Sequence, residues 1–316
     1  MFSDDAKAVI ALATRLGDPK RPSLSPTRWH RFAGLLVDAG RSPAAVFEPD
    51  FDPSDLTGMR DDLARSISEL IASAASATVA ASELDRIGIT TITVADDEYP
   101  DGLHRRLGHN APPVIFAVGN RSLLTGTGVG IVGSRDVTEQ GAEVAQSLAS
   151  AVVSLARTLV SGAARGVDQL AMNAAFSEGG TVVGALADSL QARIRKPDVL
   201  EALEAGSTCL ISQQTPSAGF TPASAMSRNK LIYALSDVTV VVASDLESGG
   251  TWSGAVEALK GAITRVGVWR GAGEGPGNAA LEDLGATALR SADGLAGILA
   301  EEPDGEPEQL SLSDLG

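Results

Sequence analysis

Three short segments of the chain combine glycine, serine and arginine in a way suited to holding an anion. Gly133, Ser134 and Arg135 close an apolar run in IVGSR (131–135). Ser161, Gly162, Ala164, Arg165 and Gly166 follow a second run in LVSGAARGVD (159–168). Ser248, Gly249 and Gly250 separate the run at 238–243 from an amphipathic stretch ending near Lys260. Glycine admits a ligand close to the backbone, and free N–H groups at a helix start attract negative charge. A guanidinium then forks onto phosphate oxygens. Any one such loop is an ordinary turn. Three of them, two carrying arginine, point to a phosphate site. Arg228, Asn229 and Lys230 form a further basic element ahead of an apolar segment, while Arg193, Arg195 and Lys196 read equally well as a solvated charge run.

Other chemistries find less support. Gly128, Gly130 and Gly133 spell G-x-G-x-x-G, but the match lies inside the apolar run rather than after it, so it is no dinucleotide fingerprint. GAGEGPG (271–277) lacks the required context, and there is no Walker loop. The single Cys209 excludes internal disulfides, and three histidines (His30, His104, His109) make a metal cage unexpected. Ser134 lacks a nucleophile-elbow setting, and Glu257 reads as a helix-surface glutamate. No catalytic residue, metal or cofactor is assigned, and a binding protein is favoured over an enzyme.

The elements that position these loops follow from periodicity. Short β-rich runs occur at 91–94, 114–118, 129–132, 158–160, 181–186, 208–212, 238–243 and 264–269. Several are continuously apolar and bounded by glycine, as in strands covered on both faces. Helical spacing lies between them, as in Val144, Leu148, Val152 and Leu155. The alternation predicts an α/β fold, a doubly wound, mostly parallel Rossmann-like sheet with ligand loops at the carboxyl ends of its strands. Residues 1–86 read as a small helical module punctuated by Pro22, Pro26, Pro43 and Pro53, residues 87–298 as the Rossmann-like domain, and 299–316 as an acidic, mobile tail, with fraying expected after 295.

Composition sets the bounds. The 316 residues carry a net charge of −15, which argues against a protein that coats nucleic acid indiscriminately. Seven acids and no bases fall after Arg290, leaving an excess of eight negative charges on residues 1–290 and room for a local basic site. Only 4% of residues are aromatic, so stacking cannot be the main mode of any nucleic-acid binding. No apolar run approaches the roughly 18 residues of a membrane span, and the amino terminus lacks a basic leader, so a soluble cytoplasmic protein is expected.

Seven segments occur here in the order found in the DNA-processing protein A (DprA/Smf) family: YPDGL (99–103), PPVIFAVGN (112–120), IVGSR, SGAARGVD (161–168), SRNKLIYALSD (227–237), the Ser-Gly-Gly loop and GPGNAALEDLGA (275–286). The resemblance covers residues 89 to about 298. It implies a Rossmann-like domain that dimerises, binds single-stranded DNA and loads the recombinase RecA. It also implies that Gly133, Ser134, Arg135, Ser161, Gly162, Ala164, Arg165, Gly166, Arg228, Asn229 and Lys230 grip the DNA backbone. There are departures: Met172 stands where the family usually has histidine, and Lys196-Pro197 where Tyr-Pro is usual. A paralogue serving phage defence or paired with a toxin or effector fits such departures. GGTWSGAVE (249–257) is similar to the signature of the nucleotide-sensing and phosphoribohydrolase superfamily, so a single nucleotide is an alternative ligand to DNA. An antitoxin-type interaction module is a third reading.

Overall fold

The computed structural model describes residues 2–126 and 128–300. Four helices open the chain: α1 (Asp4–Ala13), α2 (Pro26–Asp38), α3 (Asp61–Ile71) and α4 (Ala74–Arg86). The Ser3 and Ser25 hydroxyls cap α1 and α2 by accepting from Ala6 and Arg28 N–H, and Pro26 occupies the first turn of α2, where its missing N–H is not needed. Then follow β1 (Thr90–Thr93), α5 (Asp101–Leu107), β2 (Val114–Gly119), β3 (Gly128–Val132), α6 (Glu139–Ser154), β4 (Thr158–Ser161), α7 (Val167–Ser177) and β5 (Val182–Ala185). The chain continues through α8 (Leu190–Arg193), α9 (Pro197–Glu204), β6 (Thr208–Ser212), α10 (Pro222–Ala234), β7 (Ser236–Val241) and α11 (Gly249–Lys260). It closes with β8 (Arg265–Trp269), α12 (Asn278–Asp283), β9 (Thr287–Leu289) and α13 (Gly294–Ala300).

The nine strands among the described residues form one sheet in the order β1-β2-β6-β5-β4-β3-β7-β8-β9. From β6 to β9 every pairing is parallel, whereas β1–β2 and β2–β6 are antiparallel. The chain winds outward from β3 in both directions, so the gap between β3 and β7 is the topological switch point where such sheets bind ligands.

Alternate side chains along the strands feed opposite faces. Ile115, Val160, Val183, Cys209 and Val241 join residues of α5, α10 and α11 in one core. Ile131, Leu159, Val182 and Val240 pack against α6, α7 and α13 on the other face. The amino-terminal helices cover Val114, Phe116 and Leu210 at the antiparallel end, so Ile10, Phe32 and Ile67 share a core with the sheet. Burying a side chain such as Phe116 contributes about 1.5–3 kcal/mol.

Two expectations need correction. The chain is ordered as a helix from 295 to 300: Leu295 and Ile298, three apart on α13, are buried against the sheet, and the helix runs through Ala300. The strand β9 was not anticipated. The remainder of the acidic tail, 301–316, lies outside the described residues.

Candidate anion-binding site

Gly133 leaves β3 beneath α7, where a Cβ would meet the Val167 side chain. The turn that follows is held at every point. Ser134 N–H donates to the Ala243 carbonyl at 2.9 Å, and the Thr251 hydroxyl donates to the Gly133 carbonyl at 3.0 Å. The Ser134 hydroxyl donates to the Asp136 carbonyl at 3.1 Å and accepts from Asp136 N–H at 3.2 Å. From the next loop, Val167 N–H donates to the Ser134 carbonyl at 3.2 Å. With its backbone so fixed, Arg135 projects outward and places its guanidinium 5.5 Å from the centre of the Phe220 ring.

The second loop is tied to the first by a buried carboxylate. Asp168, in the first turn of α7, accepts backbone hydrogen bonds from Gly133, Ala164 and Gly162, and its Oδ2 lies 3.9 Å from Arg228 Nη1. Arg228 Nη1 also donates to the Gly162 and Ala185 carbonyls, the latter at 3.2 Å. Burial pushes the Asp168 carboxyl up to about 6, opposed by the Arg228 charge and the three N–H donors. Burial also pulls the Arg228 guanidinium below its ordinary value, with Asp168 opposing.

The third loop enters α11 through Ser248 and Gly249, the latter at φ +80°. Asn229 on α10 holds this helix start, its side-chain amide donating to the Gly250 carbonyl at 2.9 Å. Gly254 lets the two helices approach, since a Cβ there would meet Asn229 at 3.1 Å and Tyr233 at 3.3 Å.

These elements enclose a pocket of about 500 Å³ at the switch point. Of the residues expected to bind phosphate, Gly133, Ser134, Arg135, Ala164, Arg228, Asn229, Ser248, Gly249 and Gly250 line it. Ser161, Gly162, Arg165, Gly166 and Lys230 are not among its lining residues. Ser161 is wholly buried and donates to the Ile131 carbonyl at 2.6 Å. Arg165 pairs with Asp136 at 2.7 Å on the surface, and Lys230 with Glu257 at 2.9 Å. Arg228 is only 6% exposed and engaged with Asp168 and two carbonyls. Ser161 and Arg228 thus hold the loops together, Arg228 while also lining the pocket. Sequence reasoning did not assign the other lining residues, among them Asp136, Asp168, Phe220, Tyr233 and Asp245. The Tyr233 hydroxyl is buried with no hydrogen-bond partner among the described residues. Among those residues no group could hold a metal ion, and no helix is long and apolar enough to cross a membrane.

A mostly parallel α/β sheet with a pocket of glycine-rich loops at its switch point defines the class: a Rossmann-like α/β fold. The profile of one family within that class, DNA recombination-mediator protein A, matches residues 90–296, and the chain belongs to this family. It is 30% identical over 165 residues to DNA processing protein DprA of Bacillus subtilis, covering 51% of this chain and 54% of that protein. It is 31% identical over 205 residues to a putative DprA of Mycobacterium tuberculosis, covering 57% and 52%. The chain therefore spans about half the length of the curated relatives it matches. DprA from Streptococcus pneumoniae superposes with a TM-score of 0.72 at 21% identity, over 93% of this chain and 98% of that one, which shows the shared fold. DprA from Helicobacter pylori, a structure that bears on that protein's single-stranded DNA binding mode, superposes with a TM-score of 0.53 at 25% identity over 67% and 95%.

Proposed function

We propose that the chain binds single-stranded DNA by its phosphates at the switch-point pocket. The observation that carries this reading is Arg135, presented by a locked turn beside the glycine-rich start of α11 and paired with no carboxylate among the described residues. The single-stranded DNA binding of the H. pylori relative supports this reading. Within this proposal the chain pairs with a second copy and hands the strand to a recombinase, as the family resemblance implies. Light scattering at micromolar concentration should then give about twice 32.3 kDa, and the single-chain mass throughout that range would remove the paired arrangement.

Arg135→Ala is expected to weaken single-stranded DNA binding by about 1–3 kcal/mol, the scale of a charge-assisted contact. The melting temperature should hardly move, because the side chain is outside the core. Fluorescence polarisation against a labelled oligonucleotide reads the change, and unchanged affinity would sink the assignment.

A further inference from the structure

The end of the sheet opposite the pocket carries charge of its own. β4, β3, β7 and β8 lie side by side and parallel, so their amino ends form one rim. The charged residues of the turns that enter these strands are Arg157, Asp237, Lys260 and Arg265. Arg106 reaches the same rim from α5, donating to the Ala234 and Ser236 carbonyls at 3.0 and 2.6 Å and pairing with Asp237 at 3.0 Å. Arg157 lies 3.5 Å from the other oxygen of that carboxylate. Lys260, exposed at the end of α11, makes no ion pair among the described residues. The rim thus carries four cations and one carboxylate among the described residues, on a chain of net charge −15.

α13 delivers the acidic segment to this rim. Arg265 donates to the Ile298 carbonyl, two residues before the helix ends at Ala300. Glu301, Glu302, Asp304, Glu306 and Glu308 follow at once, with no base through Gly316. From β4 to β8 the rim spans three strand spacings, about 14 Å. Eight extended residues reach about 26 Å, so the five carboxylates can meet every cation on it. The pocket lies at the far ends of the same strands, roughly 16 Å away for a five-residue strand such as β3. The rim is therefore nearer to the start of the segment than the pocket is.

We infer that residues 301–308 lie along this rim, their carboxylates held against Arg157, Lys260 and Arg265. Single surface ion pairs are weak. A short tether, however, holds its segment at an effective concentration of about millimolar, so millimolar affinity is enough to keep it docked. At micromolar protein the same tether favours the segment's own chain over a second copy. Docked there, the segment covers the positive end of the sheet against other polyanions and leaves the pocket open.

The test uses the full chain with Gly305→Cys carrying a nitroxide, since Cys209 is fully buried and stays unlabelled. At about 10 mM salt, where the Debye length is about 30 Å, electron paramagnetic resonance should show an immobilised label, and at about 1 M, where it is about 3 Å, a mobile one. The immobilised fraction should not change with protein concentration. Arg157→Gln combined with Lys260→Gln should release the label at low salt. Replacing the five acids by their amides should release it too, and this variant alters no side chain of the folded core. Arg135→Ala should leave the label immobilised. Equal mobility at both salt concentrations would overturn the inference. Release by Arg135→Ala would do so by assigning the segment to the pocket, and immobilisation that grows with concentration by assigning it to a second copy. A mobile label would also do so if an oligonucleotide bound the Arg135→Ala chain and lost that binding when Arg157 and Lys260 were replaced, since the rim would then belong to nucleic acid.

Discussion

Replacing Asp168 by alanine is expected to cost about 3–5 kcal/mol of folding stability, the penalty for stripping a buried charge of its partner. Arg228 would remain in the core without its counter-ion, and three N–H groups, those of Gly133, Gly162 and Ala164, would lose their acceptor. Both loops would loosen together, so binding at Arg135 should fall with stability. Chemical denaturation measures the first effect, and a loss under about 1 kcal/mol would show that Asp168 does not organise the loops. The pH dependence has an unusual sign. The folded-state carboxyl sits at about 6, above the ordinary 3.8, so the folded chain takes up this proton first as acid is added. The contribution of Asp168 to stability is therefore greatest below about pH 4 and declines as pH rises through 6. Relative to an Asp168→Asn chain, the unaltered protein should gain roughly 2 kcal/mol between pH 7 and pH 4. A salt-bridged carboxylate of the usual kind would do the opposite.

Gly166→Ala should be nearly as damaging, for a backbone reason. Gly166 stands at φ +87° and ψ −135°, a conformation that side chains resist, and a Cβ would overlap the Ser134 and Arg135 carbonyl oxygens. Strain and overlap together amount to about 2–4 kcal/mol. The overlap falls on the turn that carries Arg135, so DNA binding should drop even in the fraction that stays folded. Gly179 makes a clean comparison. Its φ is +74°, yet nothing lies within 4 Å of a Cβ there. Gly179→Ala should cost only about 1–2 kcal/mol and leave binding intact. Equal effects at the two positions would mean that the approach of Gly166 to the Gly-Ser-Arg turn has no role.

Much of this arrangement was legible in the residues. The loops after β3 and β4 are legible because Gly133 and Gly162 directly follow their strands, the loop after β7 because Ser248, Gly249 and Gly250 precede a helical stretch, and α6 begins after Thr138, whose hydroxyl caps it. The reversed direction of β2 was not legible. VIFAV reads as a covered strand whichever way it runs, and only its pairing between β1 and β6 sets the direction. The strand β9 spans three residues, one of them exposed, too little for a period. In α13 the pair Leu295 and Ile298 was outweighed by the acids that follow. Arg228 was legible in hindsight. It lies three and four residues before Leu231 and Ile232, both fully buried, so it shares the inward face of α10. Phe220 gave no signal, because a lone aromatic after Gly219 could belong to any loop.

The place of β2 in the sheet also governs how the chain can be made. β2 pairs with β1, which is synthesised just before it, and with β6, which is synthesised only after β3, β4 and β5. The core beneath the amino-terminal helices likewise includes Leu186, Leu190 and Leu210. At about 5–20 residues per second, a nascent chain waits on the order of ten seconds between completing β2 and completing β6. During that interval one edge of β2 has no partner, and Val114 and Phe116 lack part of their cover. An unpaired strand edge beside exposed apolar side chains is the species that aggregates. The helical module therefore cannot be finished before the sheet, and early synthesis of this protein depends on whatever shields that edge as the chain emerges.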